Sequence, residues 1–299
     1  MVNSIKFDGK VGYIKDAKHL QSLLVGKLFT FSPDKINVIY APNGAGKTTI
    51  LKGIAGNAMT MDGYTKIAKP TDLSYKIFEK ETPEDYDIGV IKYIESLKGN
   101  SCDVDWDGAP VYYHNFSRTE MAGGNEIGGM LGSMFNSVGE EIYYRMGRNR
   151  ISDGEKTRLL FNRVIDIIAD SKDLTMKSII EKQMHKMAND TWKETERACK
   201  DYFAKFPNYD KVSGITLLMD EVDKSLDLET IEKLYMQGFP KLKKDYPYAQ
   251  IILVSHSPLI LSDKIYDSED YNIISLDESY TEDAIQVMRR MFGSLRYLH

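Results

Sequence analysis

The strongest constraint in this chain is the run INVIYAPNGAGKTTILKGIAG at residues 36–56. Ile36, Val38, Ile39 and Tyr40 form a short, apolar, largely β-branched segment, suited to a strand buried on both faces. Asn43, Gly44, Ala45 and Gly46 follow as a turn, and Lys47, Thr48 and Thr49 open a stretch of helical character. Gly44 and Gly46 carry no side chain to obstruct the backbone, so successive N–H groups can converge on an anion at the positive end of the helix. This order of strand, turn and helix predicts a phosphate-binding loop. Within it the Lys47 ammonium is placed to face β- and γ-phosphates and the Thr48 hydroxyl to ligate Mg²⁺. Ala41 stands where the strict G-x-x-x-x-G-K-[ST] pattern has its first glycine.

With 299 residues, of which 42% are hydrophobic and 28% charged, the chain has enough apolar material for a sizeable core. No apolar run approaches the roughly 20 residues that span a bilayer, and the opening MVNSIKFDGK lacks the apolar centre of a secretion signal. A cytoplasmic protein with no membrane partner is expected. Cys102 and Cys199 lie far apart without C-x-x-C spacing, which suits packing rather than a disulfide framework or zinc site. A net charge of −5 argues against a surface that binds nucleic acid throughout, and leaves a local basic patch open.

Along the chain, short segments IKF, GYI and LFTF before residue 32 predict an antiparallel sheet beside the parallel one. Tyr13, Phe29 and Phe31 are the aromatics there that could either stack on a base or fill a core. GYTKIA and LSYKIFE read as further strands, IGVIKYIESLKG as a strand or short helix, and VYYHNF at 111–116 as a core strand. A glycine- and methionine-rich stretch reads as a surface linker, and Arg145, Arg148 and Arg150 form a small basic cluster ahead of the next motif.

That motif, ISDGEKTR at 151–158, places Ser152 as an N-cap with Glu155 completing a capping box. The helix it opens has Leu159, Leu160, Val164, Ile167 and Ile168 on one face. Residues 176–206 form a second helical stretch, long enough to extend on the order of 45 Å or to fold back near Asn189. GITLLMDEVDKSLD at 214–227 is an apolar strand ending in Asp220 and Glu221, adjacent carboxylates that need a cation or polar ligand at the strand's end. After a helix over 228–237, AQIILVSHSP delivers His256 from a strand to a polar loop. A strand after Tyr271 and a closing helix over 282–292 complete the α/β alternation.

In this order the motifs resemble the nucleotide-binding domain of the ABC ATPase superfamily. APNGAGKTT resembles its Walker A motif, ISDGEKTR its signature with the S-x-G core at Ser152 and Gly154, and LLMDE its Walker B motif. SLD at 225–227 resembles the D-loop, and VSHSP carries the switch histidine, His256. The wording of the first two is closer to the soluble SMC-like and RecF-like branch than to transporter subunits. Small bacterial ATPases of that branch often belong to anti-phage systems. The glutamine of the family's Q-loop has no counterpart between Lys66 and Arg150, leaving His114 and Asn115 as candidates for its place. The helical insertion, at 172–209, lies between signature and Walker B, whereas the long arms of SMC-like DNA-repair ATPases enter before the signature.

The resemblance implies a single ABC-type ATPase domain over 1–299. Its fold would be a mixed core sheet flanked by helices, with an antiparallel β part. It implies ATP and Mg²⁺ as ligands. Asn43, Gly44, Ala45, Gly46, Lys47, Thr48 and Thr49 would cradle the nucleotide, with Thr48 and Asp220 on the metal. Glu221 would act on the attacking water, and His256 and Lys47 on the γ-phosphate. Ser152 and Gly154 would reach across a head-to-tail homodimer to the nucleotide of the opposite subunit. The expected function is an ATP-driven switch for a separate effector protein in a defence or DNA-related process. Nucleic acid is left open as a partner. The alternative is the energy subunit of a membrane transporter, against which the missing glutamine counts.

Overall fold

The computed structural model describes residues 1–9, 14, 17–57, 60–62, 67–68, 102–116, 153–175, 177–178, 210–224 and 226–295. LSYKIFE, IGVIKYIESLKG, the glycine-rich stretch, the arginine cluster and all but the first residues of the helical insertion lie outside them, as do Tyr13, Ser152, Cys199 and Ser225.

Ten strands occur among the described residues: β1 (Val2–Phe7), β2 (Leu28–Thr30), β3 (Ile36–Tyr40), β4 (Thr60–Asp62), β5 (Ile67–Ala68), β6 (Cys102–Trp106), β7 (Val111–Asn115), β8 (Ile215–Asp220), β9 (Ala249–Ser255) and β10 (Tyr271–Ser275). They form a three-stranded antiparallel sheet, β2-β1-β6, and a seven-stranded sheet, β10-β3-β9-β8-β7-β4-β5. The larger sheet is parallel from β10 to β4, with β5 antiparallel at its edge. β9 separates β3 from β8, and all three run the same way, so their carboxyl ends open onto one edge.

Every residue of β3, β8 and β9 is buried, as expected for central strands covered on both faces. Their side chains alternate between two apolar layers. Ile39, Leu218, Ile252 and Val254 face one, while Val38, Leu217, Met219, Ile251 and Leu253 face the other. The first layer is completed by helix α2 (Lys47–Asn57), which is wedged between the two sheets and touches β1, β6, β7 and β8. A Cβ at Gly53 would lie 2.9 Å from Ile5 Cδ1 and 3.1 Å from Phe7 Cζ, so this glycine allows the helix to approach the antiparallel sheet. The second layer is filled by α3 (Asp153–Ala169), α4 (Leu228–Lys233), a π-helical turn (Leu234–Gly238) and α5 (Phe239–Asp245).

Two buried amides tie neighbouring segments together. Gln250 on β9 accepts from Val2 N and returns a bond to Val2 O, both at 2.8 Å, which ties the two sheets together. Asn37 on β3 accepts from Ser32 N and Asn272 Nδ2 and donates to the carbonyls of Ser32, Lys35 and Ile251.

Several expectations need correction. Ile14, read as part of a strand, is helical, and α1 (Lys18–Leu24) lies between it and β2. Phe29 and Phe31, left open between stacking on a base and filling a core, are each 5% exposed within the first apolar layer and fill the core. The antiparallel sheet takes its third strand from Cys102–Trp106, far along the chain, because long-range pairing leaves no local signature. The helix expected over 228–237 continues through the π-helical turn to Asp245. The closing helix, α6 here, spans Glu278–Leu295. Of the apolar face expected on α3, Val164 and Ile168 are fully buried and Ile167 packs beside them.

Candidate active site

The turn after β3 has the backbone its glycines permit. Gly44 and Gly46 adopt φ of +80° and +92°, the left-handed region that L side chains avoid. The loop rests on α1: a Cβ at Gly46 would fall 2.7 Å from Leu24 Cδ1, and the His19 ring lies 3.3 Å from the Gly44 carbonyl through Nε2. The bend delivers the first turn of α2, whose N–H groups have no intrahelical acceptor, to the open edge of the sheet.

Lys47 begins that helix and is only 4% exposed. Its ammonium donates to the carbonyls of Ala41 at 2.6 Å and Pro42 at 3.0 Å, so it is held across the mouth of its own loop. Burial lowers its pKa, and Asp220, Asp223 and Glu221 partly restore it. The adjacent Thr48 hydroxyl donates to Asp220 Oδ1 at 3.1 Å, although the two residues are 172 positions apart.

Asp220 closes β8 with no exposed surface. Burial pushes its pKa up to about 6, against hydrogen bonds from Thr48 and from Tyr113 Oη, the latter at 3.2 Å. A buried carboxylate bonded to a threonine hydroxyl in the first turn of the helix that follows the glycine loop is a hard-oxygen donor set. It suits Mg²⁺ accompanied by a phosphate, and the residues present therefore fit the expected ligands.

Glu221 is the first residue beyond β8 and has φ +56°, the positive value found among the described non-glycine residues. Such a conformation costs about 1 kcal/mol or more and is held where surrounding structure over-determines it. It turns the side chain into the cleft, where Oε2 accepts from Lys224 Nζ at 2.8 Å and Oε1 lies 3.9 Å from His256 Nε2. His256 follows β9. Burial and the Lys47 charge lower its pKa below the ordinary histidine value, against Asp223 and Glu221, which favours the neutral ring. Asn43, Glu221, Asp223, Lys224, His256 and Ser257 share one cleft.

The structure thus brings together Asn43 to Thr49, Asp220, Glu221 and His256. Gly154 lies in the first turn of α3, and Thr157 further along contacts the Lys224 carbonyl at 3.5 Å, next to Glu221. His114 and Asn115 end β7, beside Met219 and Asp220 of β8. Tyr113, Lys224, His19 and Asp223 were not singled out from the sequence. Tyr113 shares a register with β8 that only strand pairing reveals, and no local pattern sets Asp223 apart from the other carboxylates of its segment.

A parallel sheet whose strand ends present a glycine phosphate loop, a buried aspartate with an adjacent glutamate, and a histidine defines a P-loop nucleoside-triphosphatase fold. The family model for the AAA domain matches residues 26–246, well over half of the chain, and the chain belongs to this family of P-loop ATPases. No curated protein matches it. No helix among the described residues is long and apolar enough to cross a membrane.

Proposed function

We propose that this protein is an ATPase of the ABC type, from the soluble RecF-like and SMC-like branch, that closes as a homodimer around ATP and hydrolyses it to ADP and phosphate. The observation that carries the reading is the convergence of Lys47, Thr48, Asp220, Glu221 and His256, from three parallel strands, on one edge of the sheet. Lys47 and the loop N–H groups neutralise the β- and γ-phosphates. Thr48 and Asp220 would hold Mg²⁺, which when bound supplies further charge neutralisation at the phosphates.

Glu221 orients the attacking water and accepts its proton as the new P–O bond forms and ADP leaves. Lys224, bonded to the other carboxylate oxygen, holds Glu221 in its rotamer. Neutral His256 keeps one N–H to donate to the γ-phosphate without adding a charge that would pair with Glu221. Ser152 and Gly154 of an opposite subunit complete the site, as the signature resemblance suggests, so ATP binds the two copies together. In this reading 172–209 docks a separate effector protein, and a role in anti-phage defence rests on the motif resemblance alone.

The test is Glu221→Gln. The amide keeps the shape but cannot take up the proton, so the variant binds ATP and accumulates as a dimer with ATP and Mg²⁺ on size-exclusion chromatography with light scattering. A variant no more dimeric than a wild type that turns ATP over would reject the ATP-closed dimer.

A further inference from the structure

Asp223 lies two residues beyond Glu221, only 5% exposed, and the hydrolytic scheme above gives it no task. Burying a carboxylate is costly unless several donors meet it. Here they do, and they are concentrated on one oxygen. Asp223 Oδ2 accepts from the Ser255 hydroxyl, from Ser257 N at 3.2 Å and from the Tyr235 hydroxyl at 3.3 Å. Ser255 Oγ also accepts from Ser257 N at 3.1 Å. Among the described residues, Oδ1 is buried without a hydrogen-bond partner. The side chain is therefore aimed to serve a single point.

That point is the pair of serines flanking His256, bound through the Ser255 hydroxyl and the Ser257 N–H. Ser255 is the last residue of β9 and Ser257 begins the loop that leads into Pro258–Leu261, so both neighbours of the histidine are bound to one carboxylate oxygen. The same carboxylate is fixed to the other wall of the cleft by its own chain, where Lys224 N donates to the Glu221 carbonyl at 3.1 Å and Leu226 N to that of Asp223 at 3.4 Å. Beneath it, Tyr235 projects from the π-helical turn and is itself fully buried. Its ring packs against Phe239 and Tyr271, and its carbonyl accepts from the Tyr271 hydroxyl. A π-helical turn shifts the side-chain register of a helix, and this one points a hydroxyl at the carboxylate.

We infer that Asp223 is the positioning residue that sets His256 against Glu221, by holding Ser255 and Ser257 at a fixed distance from the glutamate turn. The inference rests on the reading of Glu221 and His256 as the hydrolytic pair. Asp223 does not face the phosphates through the donors it binds; it acts through His256. Displacing a catalytic group by about 1 Å can cost on the order of 100-fold in rate, so the effect falls on turnover and spares nucleotide affinity, which belongs to the loop after β3.

The experiment measures steady-state ATP hydrolysis, and ATP affinity by calorimetry, for wild type, Asp223→Ala, Asp223→Asn, His256→Ala and the double variant Asp223→Ala/His256→Ala. Asp223→Ala should lower kcat by about 10- to 100-fold with KM and ATP affinity within about twofold. Asp223→Asn keeps one acceptor oxygen for the same donors and should stay within about threefold of wild type. In the His256→Ala background, Asp223→Ala should add less than about threefold, because its effect passes through the histidine. If Asp223→Ala does not fold, Ser255→Ala removes one arm of the clamp and should show the same dependence on His256, with a smaller loss.

Equal losses in both backgrounds, a parallel fall in ATP affinity, or an asparagine variant as slow as the alanine variant would each overturn the inference. A slow His256→Ala protein with a normal Asp223→Ala protein would overturn it while leaving the hydrolytic reading intact. A His256→Ala protein hydrolysing at the wild-type rate would overturn both.

Discussion

Replacing Asp220 by asparagine should stabilise the protein at neutral pH when metal and nucleotide are withheld by a chelator. The carboxyl has a pKa of about 6 in the folded chain against 3.8 as an ordinary aspartate, because β8 and its neighbours bury it completely. A raised carboxyl pKa means that the folded state binds the proton more tightly than the unfolded state. The contribution of this group to stability is therefore most favourable at low pH, declines as pH rises from about 4 to 6, and is flat above. At about 1.4 kcal/mol per pH unit of difference, the ionised side chain costs on the order of 3 kcal/mol at pH 7.5.

Asparagine removes that charge and keeps the shape. Its oxygen can accept from one of Thr48 and Tyr113, and the other hydroxyl can rotate to accept from its amide. The expected gain is about 1–3 kcal/mol, a few degrees in Tm for a chain of this size. Urea unfolding at pH 7.5 and pH 4.5 measures it, with the gain at the lower pH reduced to about a third. Adding Mg²⁺ and ATP should reverse the order, since only the wild type offers the charge a cation needs. No gain at pH 7.5, or the same gain at both values, would refute the reasoning.

Gly46→Ala forces a Cβ into a φ of +92° and 2.7 Å from Leu24 Cδ1, and should cost about 1–3 kcal/mol while weakening ATP binding; unchanged affinity by calorimetry would contradict the loop assignment. Asn37→Ala leaves the part-buried groups of Ser32 and Lys35 and the buried Ile251 carbonyl short of a partner and should lower stability by about 2 kcal/mol, with a loss under about 0.5 kcal/mol in urea unfolding counting against it. Replacing 172–209 with a short flexible linker should preserve ATP binding and abolish co-purification of an effector; retained capture would reject the docking role.

Local signals carried the nucleotide loop, the carboxylates after β8 and the histidine after β9, because each depends on a few contiguous residues. A buried strand needs an unbroken apolar run, a left-handed turn needs glycine, and a helix start can hold an anion only with its first N–H groups uncovered. These are constraints within one turn or one strand, and sequence states them directly. The aromatics before β3 were ambiguous for the opposite reason. Phe29 and a base-stacking phenylalanine have the same local context, and the packing that buries Phe29 comes from elements elsewhere in the chain.

Only the tertiary structure decided how far apart the chemical groups stand and what holds them. The parallel register of β3, β9 and β8 turns motifs far apart in the chain into a single cleft, with Thr48 bonded to Asp220 across 172 positions. Burial then sets their charge: the pKa of Asp220 rises chiefly because the strands around it bury it, with a smaller push from the adjacent Glu221. The same holds for Asp223 and Tyr235, which are unremarkable in sequence and meet at Ser255 and Ser257 once β9 lies beside β8 and the π-helical turn is packed beneath them. Residue types and short spacings determined which chemistry this protein can perform; distances, dielectric and hydrogen-bond partners are sums over neighbours remote in the chain, and they exist only once it has folded.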